Sequence, residues 1–340
     1  MGLDSANRSF YTMVGLAAVP YLALGLFGCG LLSYLADRIS VDGASALTGN
    51  GQDLRPAVLF FAVVGGGTLA AVWSLRHQWR ATHVLETHVR AQRLAAPAEV
   101  ETAASGAALA GRVDVVGEDE PFCFTYGVFA PRVAVSAGLV DRVTIEELGA
   151  VLAHEGYHVR NRDPLKLVVA RALSRAFFLP VLAPLHRRYL AGRELAADRR
   201  AVVEWGRPLL AGALMKAVAG PRWAELGAAA AIGGDQHLEL RVAQLEGGAE
   251  PPLPTLPRGA LGVSVAALAA LMAALIATLG AAGGPGALMA MDRSGTAMGG
   301  WSAPAGLAVA GGVLCLGGWA AGGWFVVRRM RRGHRSEGAR

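Results

Sequence analysis

Residues 154–158 read His-Glu-Gly-Tyr-His, and their types and spacing are those of half a metal site. On a helix His154 and His158 are one turn apart, so both imidazoles project from the same face. Two imidazole nitrogens can occupy two corners of a tetrahedral zinc site. Glu155 is placed to take a proton from a water molecule and return it to a leaving amine. The pattern predicts one catalytic zinc ion bound by His154 and His158, with Glu155 as general base and acid.

A catalytic zinc site needs a third protein ligand, and several candidates lie downstream of the motif. They are His186, Glu194, Asp198, Glu204 and His237. Glu194 and Asp198 are four residues apart, so one could bind the metal while the other orients a ligand imidazole. A solvated helix face with ordinary ion pairs explains the same spacing equally well, and the spacing alone does not decide between the two.

The elements that must position these residues leave local signals. A capping box of Thr144 and Glu147 predicts a helix over 145–161, and Asp163-Pro164 predicts its end. Short β-prone runs before this helix predict a small sheet of residues 112–116, 122–126 and 132–136. Further helices are expected at 187–205 and 237–245, and an Ala/Gly/Ser-rich connection at 95–111.

The composition is typical of a membrane protein. Hydrophobic residues make up 53% of the 340 residues, charged residues only 17%, and the mean hydropathy is +0.39. Four uncharged runs are long enough to cross a bilayer as helices: residues 9–36, 57–75, 259–281 and 306–327. The three cysteines are widely spaced, which fits neither a disulfide framework nor a cysteine metal site.

Arginine placement orients these runs. Arginines cluster after the second and fourth runs, whereas the loops 37–56 and 282–305 contain few. The positive-inside rule therefore predicts a multi-pass plasma-membrane protein with both termini and the central block in the cytoplasm. We interpret the basic C-terminal residues as a topology anchor at anionic lipid, so the net charge of +6 does not indicate a direct nucleic-acid partner.

The predicted organisation has four parts. They are two transmembrane helices in 1–76, a cytosolic domain in 77–257, two transmembrane helices in 258–327 and a basic cytoplasmic tail in 328–340. Residues 82–94 are expected to continue the second transmembrane helix. Residues 165–185 are apolar but contain three basic residues, so we expect an amphipathic, membrane-associated helix there rather than a full span.

The runs FTYGVFAPRVAVSAGLVDRVTIEELGAVLAHEGYHVRNRDPL and RRYLAGRELAADRRAV resemble the membrane zinc metallopeptidases of the BlaR/MecR antirepressor family. The resemblance implies a mainly α membrane protein with four transmembrane helices and a cytosolic, gluzincin-like α+β zinc metallopeptidase domain with a small sheet. It also implies that Glu194 is the third zinc ligand and that Asp198 supports a ligand imidazole. The strand at 132–136 would then be the exposed edge to which a peptide substrate adds.

The function implied by the resemblance is regulated, site-specific proteolysis of a cytosolic transcriptional repressor, as part of signal transduction. The named antirepressors also carry an extracellular penicillin-binding sensor. This chain ends about a dozen residues after Val327, so we expect no such sensor in it and expect the stimulus to reach it through the spans, the short outer loops or a partner.

Two alternatives remain at this stage: an HtpX-like membrane quality-control protease, and a non-catalytic receptor or scaffold in which zinc joins two helices. The oligomeric state is not predicted. The candidate donors to a transition-state oxyanion are Tyr157, Tyr189, Arg193 and Arg199, among which the sequence does not choose.

Overall fold

The computed structural model describes residues 5–42, 55–176, 179–217, 230–231 and 237–283. The chain forms two compact units, one of Met1–Gly15 with Leu69–Leu261 and the other of Leu16–Thr68 with Gly262–Arg340. The first unit contains the motif and every candidate for the metal site. The predicted span at 306–327 and the tail at 328–340 lie outside the described residues.

Three long helices contain the apolar runs: α1 (Ser5–Asp42), α2 (Arg55–Ala91) and α10 (Ala260–Gly283). Within the described residues, one helix is long and apolar enough to cross a membrane, Val58–Ala91. Helix α2 continues without a break from the predicted second span to Ala91, which confirms the expected continuation up to that residue. The four-span layout and its orientation stay predictions.

Shorter helices form the rest of the first unit. They are α3 (Ala98–Gly106), α4 (Ala137–Val140), α5 (Ile145–Asn161), α6 (Asp163–Ala176), α7 (Leu182–Trp205), α8 (Arg207–Ala217) and α9 (Leu238–Gly247). The predicted motif helix at 145–161 is confirmed, and helices are also present where 187–205 and 237–245 were expected.

Five short strands of the described chain form one mixed sheet. They are β1 (Arg93–Leu94), β2 (Val113–Val116), β3 (Cys123–Tyr126), β4 (Arg132–Ser136) and β5 (Ala230–Ala231). Their order is β1-β2-β4-β3-β5, with β4 parallel to β2 and antiparallel to β3. The three predicted strands are therefore confirmed. The other two are only two residues long, too short to show an alternating pattern.

Strand β4 lies in the middle of this sheet, which corrects the predicted substrate edge. That prediction concerned Arg132, Val133, Ala134, Val135 and Ser136. Both sides of β4 are already paired, so its backbone groups cannot accept another strand. The strand next to one edge is β3, whose side away from β4 pairs, among the described residues, with Ala230 and Ala231.

Helix α5, which carries the motif, is held at both ends. Thr144 Oγ1 accepts a hydrogen bond from the Glu147 backbone N–H at 3.2 Å, and the Glu147 carboxylate accepts one from the Thr144 N–H at 2.8 Å. The predicted capping box is thereby confirmed. At the other end Arg162 has φ 54°, a left-handed conformation that costs an L-residue about 1–2 kcal/mol. This reversal starts α6 immediately and turns Asp163 back toward α5.

Two parts of the unit differ from the sequence prediction. The connection expected at 95–111 contains α3, whose Val100, Ala103 and Ala104 are buried. Burial of this alanine-rich face against α5 stabilises a helix too short to form alone.

The segment 165–185 is not one amphipathic helix. Helix α6 ends at Ala176, and α7 begins at Leu182 and continues to Trp205. Pro184 lies in the first turn of α7, where a proline has no i−4 hydrogen bond to remove. Helix α6 packs on α5 and α7 with Ala170 and Ala172 buried, so this segment forms part of the domain core.

Helices α5 and α7 approach each other closely. Gly149 of α5 faces the indole ring of Trp205 at the end of α7, and a Cβ atom at position 149 would overlap that ring. The missing side chain therefore lets the two helices pack at short range. Their proximity places the downstream acids of α7 opposite the histidines of α5.

Candidate metal centre

The two histidines of the motif are buried and face each other. His154 is 0% exposed and His158 is 1% exposed, so they do not belong to a solvated helix face. Their Nε2 atoms are 3.2 Å apart. Two nitrogens bound to a tetrahedral zinc at about 2.0–2.1 Å would be separated by about 3.3 Å, so the pair already has the spacing of two ligands.

Glu194 of α7 completes the group. Its Oε2 lies 3.5 Å from His154 Nε2 and its Oε1 lies 3.8 Å from His158 Nε2. One ligand atom from each of the three residues lies within 4.8 Å of the others, so the group could hold a metal ion. Among the described residues this group does not include His186, Glu204 or His237. Glu204 instead pairs with Arg200 at 2.5 Å.

Each imidazole has a carboxylate behind it. His154 Nδ1 lies 2.8 Å from Asp198 Oδ1, and His158 Nδ1 lies 2.6 Å from Asp163 Oδ2. A carboxylate at Nδ1 favours the tautomer with the proton on that nitrogen, which leaves a lone pair on each Nε2. Two lone pairs 3.2 Å apart repel each other unless a cation, either a proton on one imidazole or a metal ion, lies near both. The donor set therefore fits a metal ion.

Asp163 is a site residue that sequence reasoning missed, because Asp163-Pro164 was interpreted only as a helix boundary. It is completely buried. The left-handed Arg162 allows its carboxylate to reach the imidazole five residues earlier. A carboxylate directly after a histidine-bearing helix is a signal that could have identified it.

Arg241 of α9 is a second residue that was missed. Its Nε and Nη2 atoms donate to the two carboxylate oxygens of Asp198, both at 2.7 Å. Its Nη1 lies 3.9 Å from Glu194 Oε2. No local sequence signal marks this residue, because it is 43 positions from Asp198 and only the packing of α9 on α7 brings it there.

The formal charges of the centre favour a divalent cation. Four carboxylates are buried around the histidines, and two guanidinium groups are buried with them. The acids are Glu155, Asp163, Glu194 and Asp198, and the bases are Arg193 and Arg241. With neutral imidazoles, four negative and two positive formal charges leave two negative charges, and a buried imbalance of this size favours a cation.

The pKa values of the centre also indicate a preference for positive charge between the carboxylates. Burial and the Arg241 charge lower the pKa of His154, but Asp198 and Glu194 outweigh them and raise it to about 9. Burial raises the pKa of Asp198, yet Arg241 and His154 hold it at about 2. Burial likewise raises the pKa of Glu194, but Arg193 and the histidines keep it well below the usual value. The centre therefore keeps Glu194 and Asp198 ionised and favours positive charge at the His154 imidazole.

Glu155 is completely buried, and one of its oxygens is unpaired. Its Oε2 accepts a hydrogen bond from Thr125 Oγ1 of β3 at 2.5 Å, whereas Oε1 has no hydrogen-bond partner in the described chain. Thr125, which the sequence did not suggest, therefore fixes the orientation of the carboxylate. Cys123 is also buried on β3, and burial together with the Glu155 charge raises the pKa of its thiol.

Of the four candidate oxyanion donors, three are paired with a carboxylate. Arg199 pairs with Glu250 at the surface, and the Tyr189 hydroxyl donates to Asp163 Oδ1 at 3.4 Å. Arg193 donates from Nη2 to Glu194 Oε1 at 2.7 Å. Its Nε and Nη1 are buried without a partner among the described residues. The ring of Tyr157 packs edge-on against His158.

Comparison with known proteins points to a peptidase family. The model of the BlaR1 peptidase M56 family matches residues 54–245, which is more than half of the chain and contains every residue of the metal group. Protease HtpX of Thioalkalivibrio sulfidiphilus is 29% identical over 168 residues, covering 47% of this chain and 56% of that protein. A Protease HtpX homolog of Acidiphilium cryptum is 30% identical over 203 residues, covering 49% of this chain and 71% of that protein.

The matched region spans only about half the length of the first of these relatives. The family match extends further along this chain and confirms the resemblance noted in the sequence. The chain belongs to the BlaR1 peptidase M56 family of membrane metallopeptidases.

Proposed function

We propose that this protein is a membrane zinc endopeptidase in which His154, His158 and Glu194 bind the metal and Glu155 is the general base. The observation that carries the proposal is the pair of imidazole Nε2 atoms 3.2 Å apart, with the Glu194 carboxylate opposite and a buried Glu155 oxygen unpaired. A zinc ion bound at such a group lowers the pKa of a water molecule to about 7 and polarises a peptide carbonyl.

Glu155 then moves the proton. Oε1 is the oxygen available to accept it from water, because Oε2 is held by Thr125. The same carboxyl returns the proton to the leaving amine. A scaffold in which zinc only joins two helices gives no role to a buried carboxylate with an unpaired oxygen. Such a group costs free energy, which favours the catalytic interpretation.

Arg193 is our choice for the donor that stabilises the oxyanion of the transition state. It lies beside Glu194, and two of its buried nitrogens lack a partner among the described residues. Replacement by methionine should lower kcat about 10²–10³-fold, as loss of such a donor does elsewhere. The zinc content should stay equal to that of wild type. Loss of zinc from Arg193→Met would instead show that Arg193 positions Glu194 for metal binding.

The substrate is proposed to add as an antiparallel strand to β3, in place of the edge first expected on β4. Thr125 of β3 touches the base, and the pairing with Ala230–Ala231 indicates that this edge accepts an antiparallel strand. A substrate strand would have to replace that two-residue pairing. Proline at position 231 removes a backbone donor, so Ala231→Pro should lower KM for a peptide without changing kcat.

The preferred substrate is one cytosolic transcriptional repressor, and the membrane quality-control role is the alternative. Membership of the M56 family supports the first, and the similarity to proteins named HtpX supports the second. The regulated role would also need a sensor partner. Substrates that accumulate on Glu155→Gln separate the two, because a single defined repressor supports signalling and many misfolded membrane proteins support quality control.

The decisive test of the chemistry compares metal and activity in the same preparations. Wild type and Glu155→Gln should both contain one zinc ion, and only wild type should cleave peptides. Glu194→Ala should lose zinc, whereas the matched variant His186→Ala should keep it. A full zinc content in Glu194→Ala would overturn the ligand assignment. Full cellular function of zinc-loaded Glu155→Gln would overturn the proposed protease activity.

A further inference from the structure

The first turns of α1 pack onto the domain that contains the metal centre. Ala6, Phe10 and Met13 are buried, and the Phe10 ring lies 5.5 Å from the Tyr189 ring, centroid to centroid. A Cβ atom at Gly192 of α7 would lie 3.2 Å from the Ala6 backbone. The start of α1 is therefore part of the domain core next to the site.

A continuous hydrogen-bond chain runs from this helix to a ligand histidine. Lys166 Nζ donates to Asn7 Oδ1 and to Asn161 Oδ1, each at 2.6 Å, and Asn7 Nδ2 donates to Asn161 Oδ1 at 3.2 Å. Asn161 Nδ2 donates to Asp163 Oδ1 at 2.6 Å. The other oxygen of Asp163 lies 2.6 Å from His158 Nδ1.

The polarity of this chain is consistent at every step. Because Lys166 and Asn7 both donate to Asn161 Oδ1, the Asn161 amide must present its NH₂ group to Asp163. That bond fixes the carboxylate, and the carboxylate fixes the tautomer and orientation of the imidazole. Asn7 takes part in two of these contacts, so it helps to set the direction of the whole chain.

We propose that Asn7 is a positioning residue for the metal centre, so that the affinity of the centre for metal depends on the docked start of α1. The inference rests on the proposed zinc site and adds a means of control to it. Helix α1 is continuous from Ser5 to Asp42 and includes the predicted first span. A displacement of this helix would break the Asn7 contacts and weaken the hold on His158.

The alternative is that Asn7 only helps the helix to dock. Docking has its own contacts, since Phe10 packs on Tyr189 and Ser5 Oγ donates to Glu250 at 3.2 Å. Asn7→Leu keeps the size of the side chain and removes both polar contacts, so it tests positioning while the apolar contacts remain. Asn7→Asp keeps an acceptor for Lys166, so its zinc affinity should be close to that of wild type.

The experiment measures zinc affinity by competition with a chelator, on the full chain in detergent with any tag at the C-terminus. We expect Asn7→Leu to bind zinc roughly tenfold more weakly, in the range seen when groups behind a ligand histidine are removed. The visible spectrum of bound Co²⁺ should shift, because the ligand geometry changes. Thr12→Val is the matched control, since Thr12 is exposed and bonds only its own helix at Arg8.

Each outcome has one meaning. Equal zinc affinity and an identical Co²⁺ spectrum in wild type and Asn7→Leu would overturn the inference while leaving the zinc site in place. If wild type itself binds no metal, the proposed function fails instead. Should Asn7→Leu not fold, Lys166→Met interrupts the same chain from α6, and unchanged zinc affinity in that variant would equally overturn the inference.

Discussion

Two buried aspartates of the described chain each accept hydrogen bonds from an arginine on both carboxylate oxygens, and one of the two contacts a proposed metal ligand. In the first pair Arg241 donates to both oxygens of Asp198 at 2.7 Å. In the second, Arg132 of β4 donates to both oxygens of Asp114 on β2, at 2.5 and 2.8 Å. The geometry is nearly the same. The remaining partners differ, because Asp198 also contacts His154, whereas Asp114 accepts from the Tyr126 hydroxyl at 2.6 Å and lies 2.9 Å from Arg93 Nε.

The pairs also differ in burial. The side chain of Arg241 is 4% exposed, whereas that of Arg132 is 32% exposed. If the aspartate is lost, Arg132 can be hydrated and Arg241 cannot. The comparison therefore separates what such a pair contributes to stability from what it contributes to the metal centre, and the variants below change these two contributions together or singly.

The largest effect is expected for Asp198→Ala. It leaves the Arg241 charge buried without its main partner, which costs about 3–5 kcal/mol. It also removes the carboxylate behind His154, which should lower zinc affinity about 10–100-fold. Thermal unfolding of the full chain in detergent measures the loss of stability, and competition with a chelator measures the loss of zinc affinity. A melting temperature equal to that of wild type would show that Arg241 finds another partner.

The double variant Asp198→Leu with Arg241→Met should come next. Replacing a buried ion pair by apolar groups of similar volume is often neutral or stabilising, so the melting temperature should return close to that of wild type. Zinc affinity should remain as low as in Asp198→Ala, because His154 still lacks its carboxylate. Recovery of zinc affinity together with stability would mean that Asp198 acts only through folding.

The α5 half of the metal centre was predictable from the sequence, because its signals are local. His154, Glu155 and His158 lie within one turn and a half of a helix whose cap is four residues long. The three central strands were predictable for the same reason. What identified Glu194 was the family resemblance, since its spacing to Asp198 fits a surface ion pair equally well.

The remaining parts depend on contacts between distant residues. Arg241 reaches Asp198 over 43 positions, and Asn7 reaches Asn161 over 154. Strand β4 was misplaced because strand order follows from long-range pairing, whereas the sequence shows only that a strand is present. Helix α3 was missed because its alanine-rich residues form a helix through burial against α5.

Asp114→Ala should lower stability moderately and leave zinc affinity unchanged. It leaves the buried Tyr126 hydroxyl without its acceptor, which costs about 1–3 kcal/mol. Arg132 is partly exposed and Arg93 is exposed, so both guanidinium groups remain hydrated. We expect a lower melting temperature with zinc affinity within about twofold of wild type. A large drop in zinc affinity would show that the sheet and the metal centre are coupled, and the two pairs would no longer be a matched comparison.

The smallest effect concerns the pH dependence of the same sheet pair. Burial raises the pKa of Asp114, but the hydrogen bonds from Arg132 and Tyr126 outweigh it, so the pKa lies below its usual value. A carboxyl group whose pKa is lower in the folded state stabilises it above the unfolded pKa of about 3.9, and this contribution is lost as the pH falls through the folded pKa. The difference in melting temperature between wild type and Asp114→Asn should therefore be constant near neutral pH and shrink below about pH 4. Zinc release in acid affects both proteins equally and cancels in that difference. A difference that stays constant down to pH 3 would mean that the ionised and the protonated Asp114 side chain stabilise the fold equally.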